Sequence, residues 1–392
     1  MCEKKQKVLI VHNYYQIPGG EDTVVANEKK LLEDHGHEVV LYTRHNSELK
    51  SLTKFQKILL PFSTIFNGKT YKEVKELIKK EDIKIVHVHN TLNMVSPSVY
   101  YAAFSCKVPV VQTVHNFRLL CPGATFFRDG HVCEECLEKG LSCAVKHKCY
   151  RGSRVQTLAC VVSMVVHRML GTYSKLNYIC LTEFNKEKLR HLKQIKKDRI
   201  FVKPNFVQAA DKIVPYSERK DQFVYVGRLE EIKGMGVLLE AWKVMGESAP
   251  KLYMCGKGPL EEWCRQYIKE NHLTMIEMLG FVPNDQTRKL VGESKALVLP
   301  TQVYEGFPMT IAESYAAGTP VIGSDLGNTG SLIENGITGW KFLPKSPDKL
   351  TEAVQKIRNS YKGMDAEKIQ KYSAEKNYEQ LRNIYEACCN HH

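Results

Sequence analysis

The sequence predicts an α/β protein built from two doubly wound domains, and three observations support this. Short apolar segments alternate with amphipathic helical segments over most of the chain, as in parallel sheets covered by helices on both faces. The chain has 392 residues, whereas a single hydrophobic core stops growing at roughly 250–300 residues. A turn at Pro204–Phe206, followed by a polar stretch, divides the alternating pattern into two series.

The first series predicts an N-terminal Rossmann-like domain over residues 1–205. It opens as a βαβ unit, in which a strand, a loop containing Gly19 and Gly20, and an amphipathic helix precede a second strand. The predicted strands are Val8–Val11, Glu38–Tyr42, Lys84–Val88, Pro109–Val114 and Tyr178–Leu181. A cysteine-rich loop over residues 121–149 shows no regular pattern, so we expect it to be irregular.

The second series predicts a C-terminal Rossmann-like domain over residues 206–365, followed by a helical tail over 366–392. Its predicted strands are Gln222–Val226, Lys251–Cys255, Thr274–Leu279, Ala296–Pro300 and Pro320–Ser324. In open α/β sheets, ligands bind beyond the carboxyl ends of the strands. We therefore expect the functional site in a central cleft that both domains face.

Composition and charge limit the class of protein. With 43% hydrophobic and 25% charged residues, the chain is a folded protein rather than a disordered or fibrous one. The net charge of +13 arises in the first 210 residues, which contain 33 Lys and Arg against 19 Asp and Glu. This asymmetry indicates an anionic partner, namely nucleic acid, an acidic lipid surface or a phosphorylated acceptor. The alternative is that the basic residues are spread over a solvated surface.

No membrane-inserted or secreted form is predicted. The apolar run Val8–Val11 is shorter than the ~7–15 apolar residues of a signal peptide. The longest apolar stretch, Leu158–Val166, is far shorter than the ~20 residues that cross a bilayer. We therefore expect a cytoplasmic protein with reduced thiols and no disulfide framework.

The segment Tyr304–Glu313 carries the strongest functional pattern. It follows a predicted strand and opens a helix, so its unpaired N–H groups and the positive end of the helix dipole suit a phosphate. Pro308 occupies the last position before the helix, where its missing N–H costs little. Glu305 lies in the loop. Glu313 is predicted in the first helical turn, where its carboxylate can accept hydrogen bonds from ribose hydroxyls.

Two further loops follow neighbouring strands. Arg228 and Lys233 come after strand Gln222–Val226, and together they can hold two phosphoryl groups and offset negative charge on a diphosphate leaving group. The glycine turn Gly256–Pro259 follows the next strand, where Gly258 would let the backbone approach a ligand closely. The alternative for this turn is an ordinary βα connection.

These motifs together resemble the retaining glycosyltransferases of the GT-B fold, in the large family 4. The E-x7-E motif of that family is matched by Glu305 and Glu313, and its G-R-L…K-G motif by Gly227–Gly234. Its N-terminal Gly-Gly loop is matched by Gly19 and Gly20. The resemblance extends over nearly the whole chain, and the combination of motifs is specific.

The resemblance implies a nucleotide-sugar donor (UDP- or GDP-sugar) in the C-terminal domain, an acceptor in the N-terminal domain and transfer with retained anomeric configuration. It implies that Arg228 and Lys233 contact the diphosphate, Glu313 the ribose and Glu305 the sugar. His115 resembles the family histidine that touches the donor sugar, and the alternative is a structural histidine at a strand end. The other donor-binding positions would be Gly19, Gly20, Gly258, Val282, Phe307, Pro308, Met309 and Thr310.

The sequence lacks the ligands of a catalytic metal, since no Asp-x-Asp motif occurs. We therefore expect no cofactor for catalysis, with basic side chains and helix dipoles stabilising the leaving group. No Asp or Glu is assignable as a covalent nucleophile. Double displacement and a same-face attack assisted by the leaving group both remain open.

Five cysteines lie within 29 residues, at Cys121, Cys133, Cys136, Cys143 and Cys149. Cys133 and Cys136 have the Cys-x2-Cys spacing of zinc sites, and four thiolates form a closed tetrahedral structural site. We expect Cys121, Cys133, Cys136 and Cys149 to hold one structural Zn²⁺ that orders the loop. The alternatives are reduced thiols without metal and a redox or Fe–S role.

The segment Lys54–Phe62 mixes basic and large apolar residues and precedes the basic helix Tyr71–Lys80. Such a stretch can lie in a membrane interface and meet anionic lipids. We therefore expect peripheral contact with the inner face of the membrane and a lipid-linked or membrane-proximal acceptor. The alternative is a helix packed on its own domain with its lysines in water.

Three other functions can be compared with transfer. A sugar-nucleotide epimerase or hydrolase has the same architecture, but Glu305 and Glu313 in the full motif favour transfer. A basic nucleic-acid-binding module leaves those residues unexplained. A dinucleotide-dependent oxidoreductase needs a Gly-x-Gly-x-x-Gly loop that the first strand lacks. The sequence thus favours a glycosyltransferase of polysaccharide or glycoconjugate biosynthesis, acting on a glycan or lipid-linked acceptor, with no nucleic-acid partner.

Overall fold

The computed structural model describes residues 5–16, 19–51, 53–92, 94–210 and 212–390, and of residues 54–59 it describes the backbone alone. The chain forms two compact units. The first comprises Met1–Phe126, Cys133–Pro204 and Asn377–His392, and the second Phe127–Val132 and Asn205–Lys376. The change of unit after Pro204 lies beside the domain boundary placed at residue 205. The tail expected over 366–392 is divided, because the chain returns to the first unit at Asn377.

Eight strands of the described residues precede the sheet of the second unit: six form the first unit's sheet and two form a separate hairpin. They are β1 (Lys7–Tyr14), β2 (Glu38–His45), β3 (Ile85–Val88), β4 (Val110–Val114), the hairpin β5 (Phe127–Arg128) and β6 (His131–Val132), β7 (Asn177–Cys180) and β8 (Ile200–Val202). The first unit's sheet has the order β2-β1-β3-β4-β7-β8, and every neighbouring pair is parallel. Its strands read as continuous apolar runs because helices cover both faces, and Val8–Val11 is fully buried.

The helices of the first unit are α1 (Gly20–Asp34), α2 (Glu48–Ser51), α3 (Lys54–Ile65), α4 (Gly68–Lys80), α5 (Ser98–Ser105), α6 (Glu135–Glu138), α7 (Ser142–Lys146), α8 (Arg154–Met169) and α9 (Glu183–Leu189). Side chains cap several of them. The Asn67 carboxamide accepts hydrogen bonds from the first N–H groups of α4, and the Ser153 hydroxyl accepts one from Gln156 at the start of α8. These caps explain why the helices begin where they do.

The expectation of an irregular loop over residues 121–149 is wrong. This segment contains the hairpin β5–β6 and the short helices α6 and α7. Elements of two to five residues are too short to show a hydrophobic period, so the sequence pattern did not indicate them.

The second unit contains a second parallel sheet. Its strands are β9 (Lys220–Val226), β10 (Lys251–Cys255), β11 (Ile276–Gly280), β12 (Ser294–Leu299), β13 (Val321–Ser324) and β14 (Gly339–Phe342), in the order β11-β10-β9-β12-β13-β14. Its helices are α10 (Met235–Met245), α11 (Glu261–Glu270), α12 (Asn284–Glu293), α13 (Met309–Ala316), α14 (Gly327–Leu332), α15 (Pro347–Ser360) and α16 (Ala366–Ile369). The predicted pair of doubly wound α/β domains is confirmed.

The last helix, α17 (Ala374–Asn390), supplies buried side chains to the first unit from Asn377 onward. Tyr378, Leu381 and Tyr385 are almost fully buried on its inner face. Across the part of the chain that the structure describes, no helix is long and apolar enough to cross a membrane.

Candidate functional site

Lys233 and Glu305 form an ion pair in the second unit. Lys233 Nζ lies 2.7 Å from Glu305 Oε1, which also accepts a hydrogen bond of 2.9 Å from the Thr301 hydroxyl. The Lys233 loop follows β9 and the Glu305 loop follows β12, and these strands are neighbours in the sheet. Adjacent carboxyl ends therefore bring the two predicted motifs into direct contact.

Gly234 permits this close approach of the two loops. Its φ is +78°, and a Cβ atom there would lie 1.9 Å from the Pro300 carbonyl oxygen. The Gln302 N–H also donates a 2.8 Å hydrogen bond to the Ile232 carbonyl. Any side chain at position 234 would push Lys233 away from Glu305, so the glycine is needed for geometry.

Helix α14 fixes the Glu305 loop through hydrogen bonds. The Asn328 carboxamide donates to the carbonyls of Glu305 and Gly306, at 2.6 and 2.7 Å. Asn328 is fully buried. It was not among the predicted site residues, since its role depends on contacts 22 and 23 residues away along the chain.

Arg228 pairs with Glu230, whereas Glu305 pairs with Lys233. The Arg228 side chain is 69% exposed. The backbone beneath it is fixed, because the Tyr225 hydroxyl donates 2.6 Å to the Arg228 carbonyl. Contact with a diphosphate would require the guanidinium to exchange Glu230 for phosphate oxygens.

Glu313 lies in the second turn of α13, because that helix begins at Met309. The expectation that Glu313 occupies the first turn is wrong, because it is the fifth residue of the helix. Its carboxylate lines a small pocket with Val226, Thr310 and Arg288. Burial raises the pKa of Glu313, and the Arg288 charge opposes that rise. A half-buried acid beside a β-strand end suits recognition of hydroxyl groups.

The glycine turn after β10 has a structural explanation of its own. A Cβ atom on Gly258 would lie 2.4 Å from the Leu229 carbonyl oxygen, and one on Gly256 would lie 1.8 Å from the Gly227 carbonyl oxygen. Both glycines are thus required by packing of this turn against the Arg228 loop. The predicted contact of Gly258 with a donor stays a prediction.

The remaining predicted donor positions surround the start of α13. Pro308 is the last residue before the helix, as expected, with φ −75° and ψ 95°. Val282, Phe307 and Met309 are partly buried and pack against one core cluster. Thr310 lines the pocket of Glu313. Val282, Phe307 and Met309 thus share one core cluster, and Thr310 shares a pocket with Glu313.

His115 immediately follows β4 in the first unit. Its Nε2 lies 2.9 Å from His89 Nδ1, and the two rings stack with centroids 5.2 Å apart. Burial lowers the pKa of His115 well below its usual value, and the neighbouring His89 lowers it further. His115 is thus a neutral imidazole at neutral pH, able to exchange hydrogen bonds but not to supply positive charge.

A buried polar network lies behind His115. His89 Nε2 lies 3.2 Å and His87 Nδ1 2.9 Å from Glu28 Oε1, and Lys203 Nζ lies 2.9 Å from Glu28 Oε2. Burial alone would raise the pKa of Glu28, but the charges of Lys203 and His87 hold it well below its usual value. Sequence analysis missed Glu28 and His89, whose partners are far apart along the chain.

Gly19 and Gly20 lie at the start of α1. Gly19 precedes the helix, and its N–H donates 2.9 Å to the Asp22 carboxylate. Asp22 also lies 2.8 Å from His12 Nε2. Burial raises the pKa of the next acid, Glu21, to about 8, although the Tyr15 hydroxyl donates to it. This end of β1 therefore carries titratable groups that the glycine motif did not reveal.

The cysteines come together in the first unit. A Cβ on Gly123 would lie 3.7 Å from both Cys121 Sγ and Cys149 Cβ, and Cys136 and Cys149 pack against one small core cluster. Burial raises the pKa of the Cys136 thiol, and the other four cysteines of the segment raise it further. Within the described residues, however, only Glu28, His87 and His89 place three ligand atoms within 4.8 Å of one another. The Lys203 ammonium already compensates Glu28 there.

Two family models match successive parts of the chain. Residues 207–376 match the model "Glycosyl transferases group 1" and residues 18–140 match "Glycosyltransferase Family 4". The first match covers nearly all of the second unit. The second match covers the part of the first unit that contains Gly19, Gly20 and His115.

Known relatives agree with these models. An uncharacterized glycosyltransferase of Methanocaldococcus jannaschii, MJ1178, is 24% identical over 97% of this chain and 98% of its own. A second protein of that organism, the uncharacterized glycosyltransferase MJ1607, is 29% identical over 51% of this chain, and the match spans only 55% of its length.

A solved structure is similar throughout. The Anabaena protein Alr3699/HepE, crystallised with UDP and glucose, is 15% identical and superposes with a TM-score of 0.65 over 97% of this chain and 100% of its own. At this identity the likeness concerns the fold. With two parallel-sheet units, adjoining motif loops and matches in both halves, the chain belongs to the glycosyltransferases of the GT-B fold, as its family 4 and group 1 matches describe.

Proposed function

We propose that this glycosyltransferase moves a sugar from a nucleotide-diphosphate donor, a UDP- or GDP-sugar, to a glycan or lipid-linked acceptor with retention of anomeric configuration. The transferred group would be a hexose, and the pathway would be that of a cell-surface polysaccharide or glycoconjugate. The observation that carries the proposal is the Lys233–Glu305 pair, 2.7 Å long, beside the start of α13.

The Lys233–Glu305 pair offers both functions that transfer requires. A carboxylate can accept hydrogen bonds from sugar hydroxyls, and an ammonium can offset the negative charge that grows on the departing diphosphate. The N–H groups at the start of α13 add dipole stabilisation for phosphate oxygens. Arg228 supplies a second cation once it leaves Glu230. The UDP bound by the Anabaena neighbour supports a nucleotide donor.

His115 has a supporting role in this proposal. As a neutral imidazole with one nitrogen engaged by His89, it keeps the other nitrogen for a sugar hydroxyl. Neither His115 nor Glu305 is assigned as a covalent nucleophile. Retention by a same-face attack and retention by double displacement thus both agree with these residues.

We also propose peripheral contact of the first unit with an anionic membrane. The segment Lys54–Phe62 was the predicted contact, but the side chains of residues 54–59 lie outside the described residues. Better support comes from α8, where exposed apolar side chains recur every three or four residues: Val155, Leu158, Val162, Val165 and Met169. A basic unit with such a stripe suits the interface of an anionic bilayer.

A structural Zn²⁺ at Cys121, Cys133, Cys136 and Cys149 is retained as a proposal. Support comes from the neighbourhood of the five thiols and from the Cys-x2-Cys spacing. The thiols would have to draw closer than they lie here, since no three of the described sulfur atoms fall within 4.8 Å of one another. Such a site would fix the segment that begins directly after His115 and Asn116.

The test of the proposed function is a thermal-shift screen of the purified protein against UDP, GDP, ADP and their sugar conjugates. A ligand that binds only the native state raises the melting temperature. Selective stabilisation by one nucleoside diphosphate, lost in Glu313→Ala, would support the donor assignment and identify the base. No stabilisation by any of these nucleotides would overturn it.

A further inference from the structure

Two cavities adjoin one another inside the first unit. The first surrounds His115 and is lined by Tyr100, Asn116, Arg118 and Met164 among others. The second is a groove between α3 and α8, lined by Leu60, Pro61, Tyr150, Val155 and Ala159 among others. Thr64 and Cys160 line both cavities. The pocket of the candidate catalytic histidine and the mainly apolar groove therefore share part of their walls.

Helix α8 lines both the His115 pocket and the apolar groove. Gln156, Ala159 and Cys160 line the groove, and Cys160, Ser163 and Met164 line the pocket. These positions recur at intervals of three and four residues, so they share one face of the helix. Next to that face run the exposed side chains of Val155, Leu158 and Val162. The groove thus opens beside an apolar surface.

Two guanidinium groups flank the junction of pocket and groove. Arg118 and Arg151 lie 5.1 and 5.3 Å from the centre of the Tyr150 ring, and both act electrostatically on the Cys160 thiol. Neither forms an ion pair with any carboxylate in the described part of the chain. The Arg118 guanidinium donates a 2.9 Å hydrogen bond to the Pro122 carbonyl. The Arg118 charge also acts on the buried Glu21 carboxyl. Two guanidinium groups without a salt bridge suit a phosphate or diphosphate.

We propose that this pocket and groove bind an acceptor joined to a hydrocarbon chain through a phosphate or diphosphate. The saccharide end lies near His115, the phosphate lies between Arg118 and Arg151, and the chain follows the groove along α8 toward the exposed apolar stripe. This assignment rests on the proposed function, because it treats the His115 pocket as the acceptor side of a transferase.

The order of chemical groups along the route favours this class of ligand. A free oligosaccharide would leave the apolar groove beside Ala159 empty and both cations without a counter-ion. A free anion would use the cations but not the groove. A lipid phosphate uses both, and its chain would leave the groove where Val155 and Leu158 can enter a bilayer.

The test measures binding of farnesyl diphosphate to the full chain by isothermal titration calorimetry. Inorganic pyrophosphate, which has no chain, and farnesol, which has no phosphate, are the comparison ligands. We expect farnesyl diphosphate to bind at least about tenfold more tightly than either, because only it fills groove and cation pair together. Equal affinity for pyrophosphate or for farnesol would overturn the proposal.

Variants locate the site. Arg118→Gln and Arg151→Gln should each weaken binding of farnesyl diphosphate by about tenfold, and Ala159→Trp should do so by filling the groove. Arg154→Gln and Arg154→Trp, at an exposed position of the same helix that lines neither cavity, are the matched controls. Unchanged affinity in the three site variants, or equal loss in the controls, would overturn the assignment.

Failure of this proposal can be distinguished from failure of the proposed function. Each variant is also titrated with UDP and GDP, whose proposed site lies in the second unit. The lipid-phosphate assignment fails if nucleotide binding persists while farnesyl diphosphate shows no preference over its comparison ligands. The donor assignment fails if no nucleotide binds, whatever the lipid result. A circular dichroism spectrum and a melting temperature that match wild type show that Ala159→Trp is folded.

Discussion

Lys233 Nζ lies 2.7 Å from Glu305 Oε1, although the two residues are 72 positions apart in the chain. The contact arises because β9 and β12 are neighbours in the sheet and their carboxyl ends meet at one edge. Lys233 and Glu305 neutralise each other in the absence of ligand, and each can instead pair with a group of the ligand when it binds. The carboxylate can turn to sugar hydroxyls while the ammonium turns to phosphate.

Lys233→Ala should therefore lower turnover more than donor affinity. The ammonium is proposed to stabilise charge that develops only in the transition state, so we expect kcat to fall by about 10²–10³-fold with a much smaller change in KM. Steady-state kinetics with the donor identified by thermal shift provide the measurement. Lys243→Ala, at an exposed position of α10, is the control and should keep wild-type kinetics. A larger effect on KM than on kcat would contradict the assigned role.

Glu313→Ala should weaken binding of the nucleoside diphosphate itself. Loss of a half-buried carboxylate that accepts ribose hydroxyls should cost about tenfold in affinity or more. The measurement is titration calorimetry with UDP and GDP, without acceptor. Glu277→Ala, an exposed residue of β11 that pairs with Lys251, serves as the control. Wild-type affinity in Glu313→Ala would remove this residue from the site.

The parallel sheets could be predicted because their strands are continuous apolar runs. The run Val8–Val11 indicated β1, but the strand continues through buried His12 and Asn13, whose polarity hid it. Those two residues belong to the functional edge of the sheet. The apolar pattern that predicts a strand is therefore weakest at the strand's carboxyl end, where functional polar residues replace apolar ones.

The motif residues of the second unit could be predicted, because loops, glycines and charges lie close together in the sequence there. The network behind His115 could not. His89 faces Glu28, 61 positions earlier, and Glu28 faces Lys203, 175 positions later. Nothing local to any of these residues specifies the partner, since the pairing exists only after β3, β4 and α1 have packed.

The Glu28–Lys203 pair should be a large contributor to the stability of the first unit. Both side chains are almost completely buried, so Lys203→Met would leave an uncompensated carboxylate in the core and destabilise by about 3–5 kcal/mol. The double variant Glu28→Gln with Lys203→Met removes that charge and should recover much of the loss. Urea unfolding followed by circular dichroism measures both.

The surface pair Lys30–Asp34 provides the control for this experiment. It spans one turn of α1 with both side chains more than half exposed, so Lys30→Met should change the unfolding free energy by less than about 1 kcal/mol.

The contribution of Glu28 to stability should depend on pH in a definite direction. Because the folded-state pKa of Glu28 is depressed, its contribution is complete above the unfolded value of about 4.5 and is lost as pH falls below it. Equal destabilisation in the single and double variants would contradict this account.

Protein purified under reducing conditions without chelator should contain one zinc per chain. Cys133→Ser and Cys136→Ser should each lose the metal, since a structural site needs four ligands. Cys106→Ser, a half-buried thiol at the end of α5, should keep it. Elemental analysis provides the metal content, and EDTA should lower the melting temperature of wild type and of Cys106→Ser but not of Cys133→Ser or Cys136→Ser. Substoichiometric zinc in wild-type protein would rule out the site.

Glu21 should make the first unit less stable as pH rises through the neutral range. Burial raises its folded-state pKa to about 8, against an unfolded value of 4.5. The stabilisation that comes from its neutral form is therefore complete below pH 4.5 and is lost as pH rises through 8, by an amount on the order of 2–4 kcal/mol. Glu21→Gln should remove this pH dependence, and Glu33→Gln, on the outer part of α1, should retain it. Melting temperatures of the three proteins between pH 5 and 9 give the comparison, and parallel curves for wild type and Glu21→Gln would show that Glu21 titrates normally.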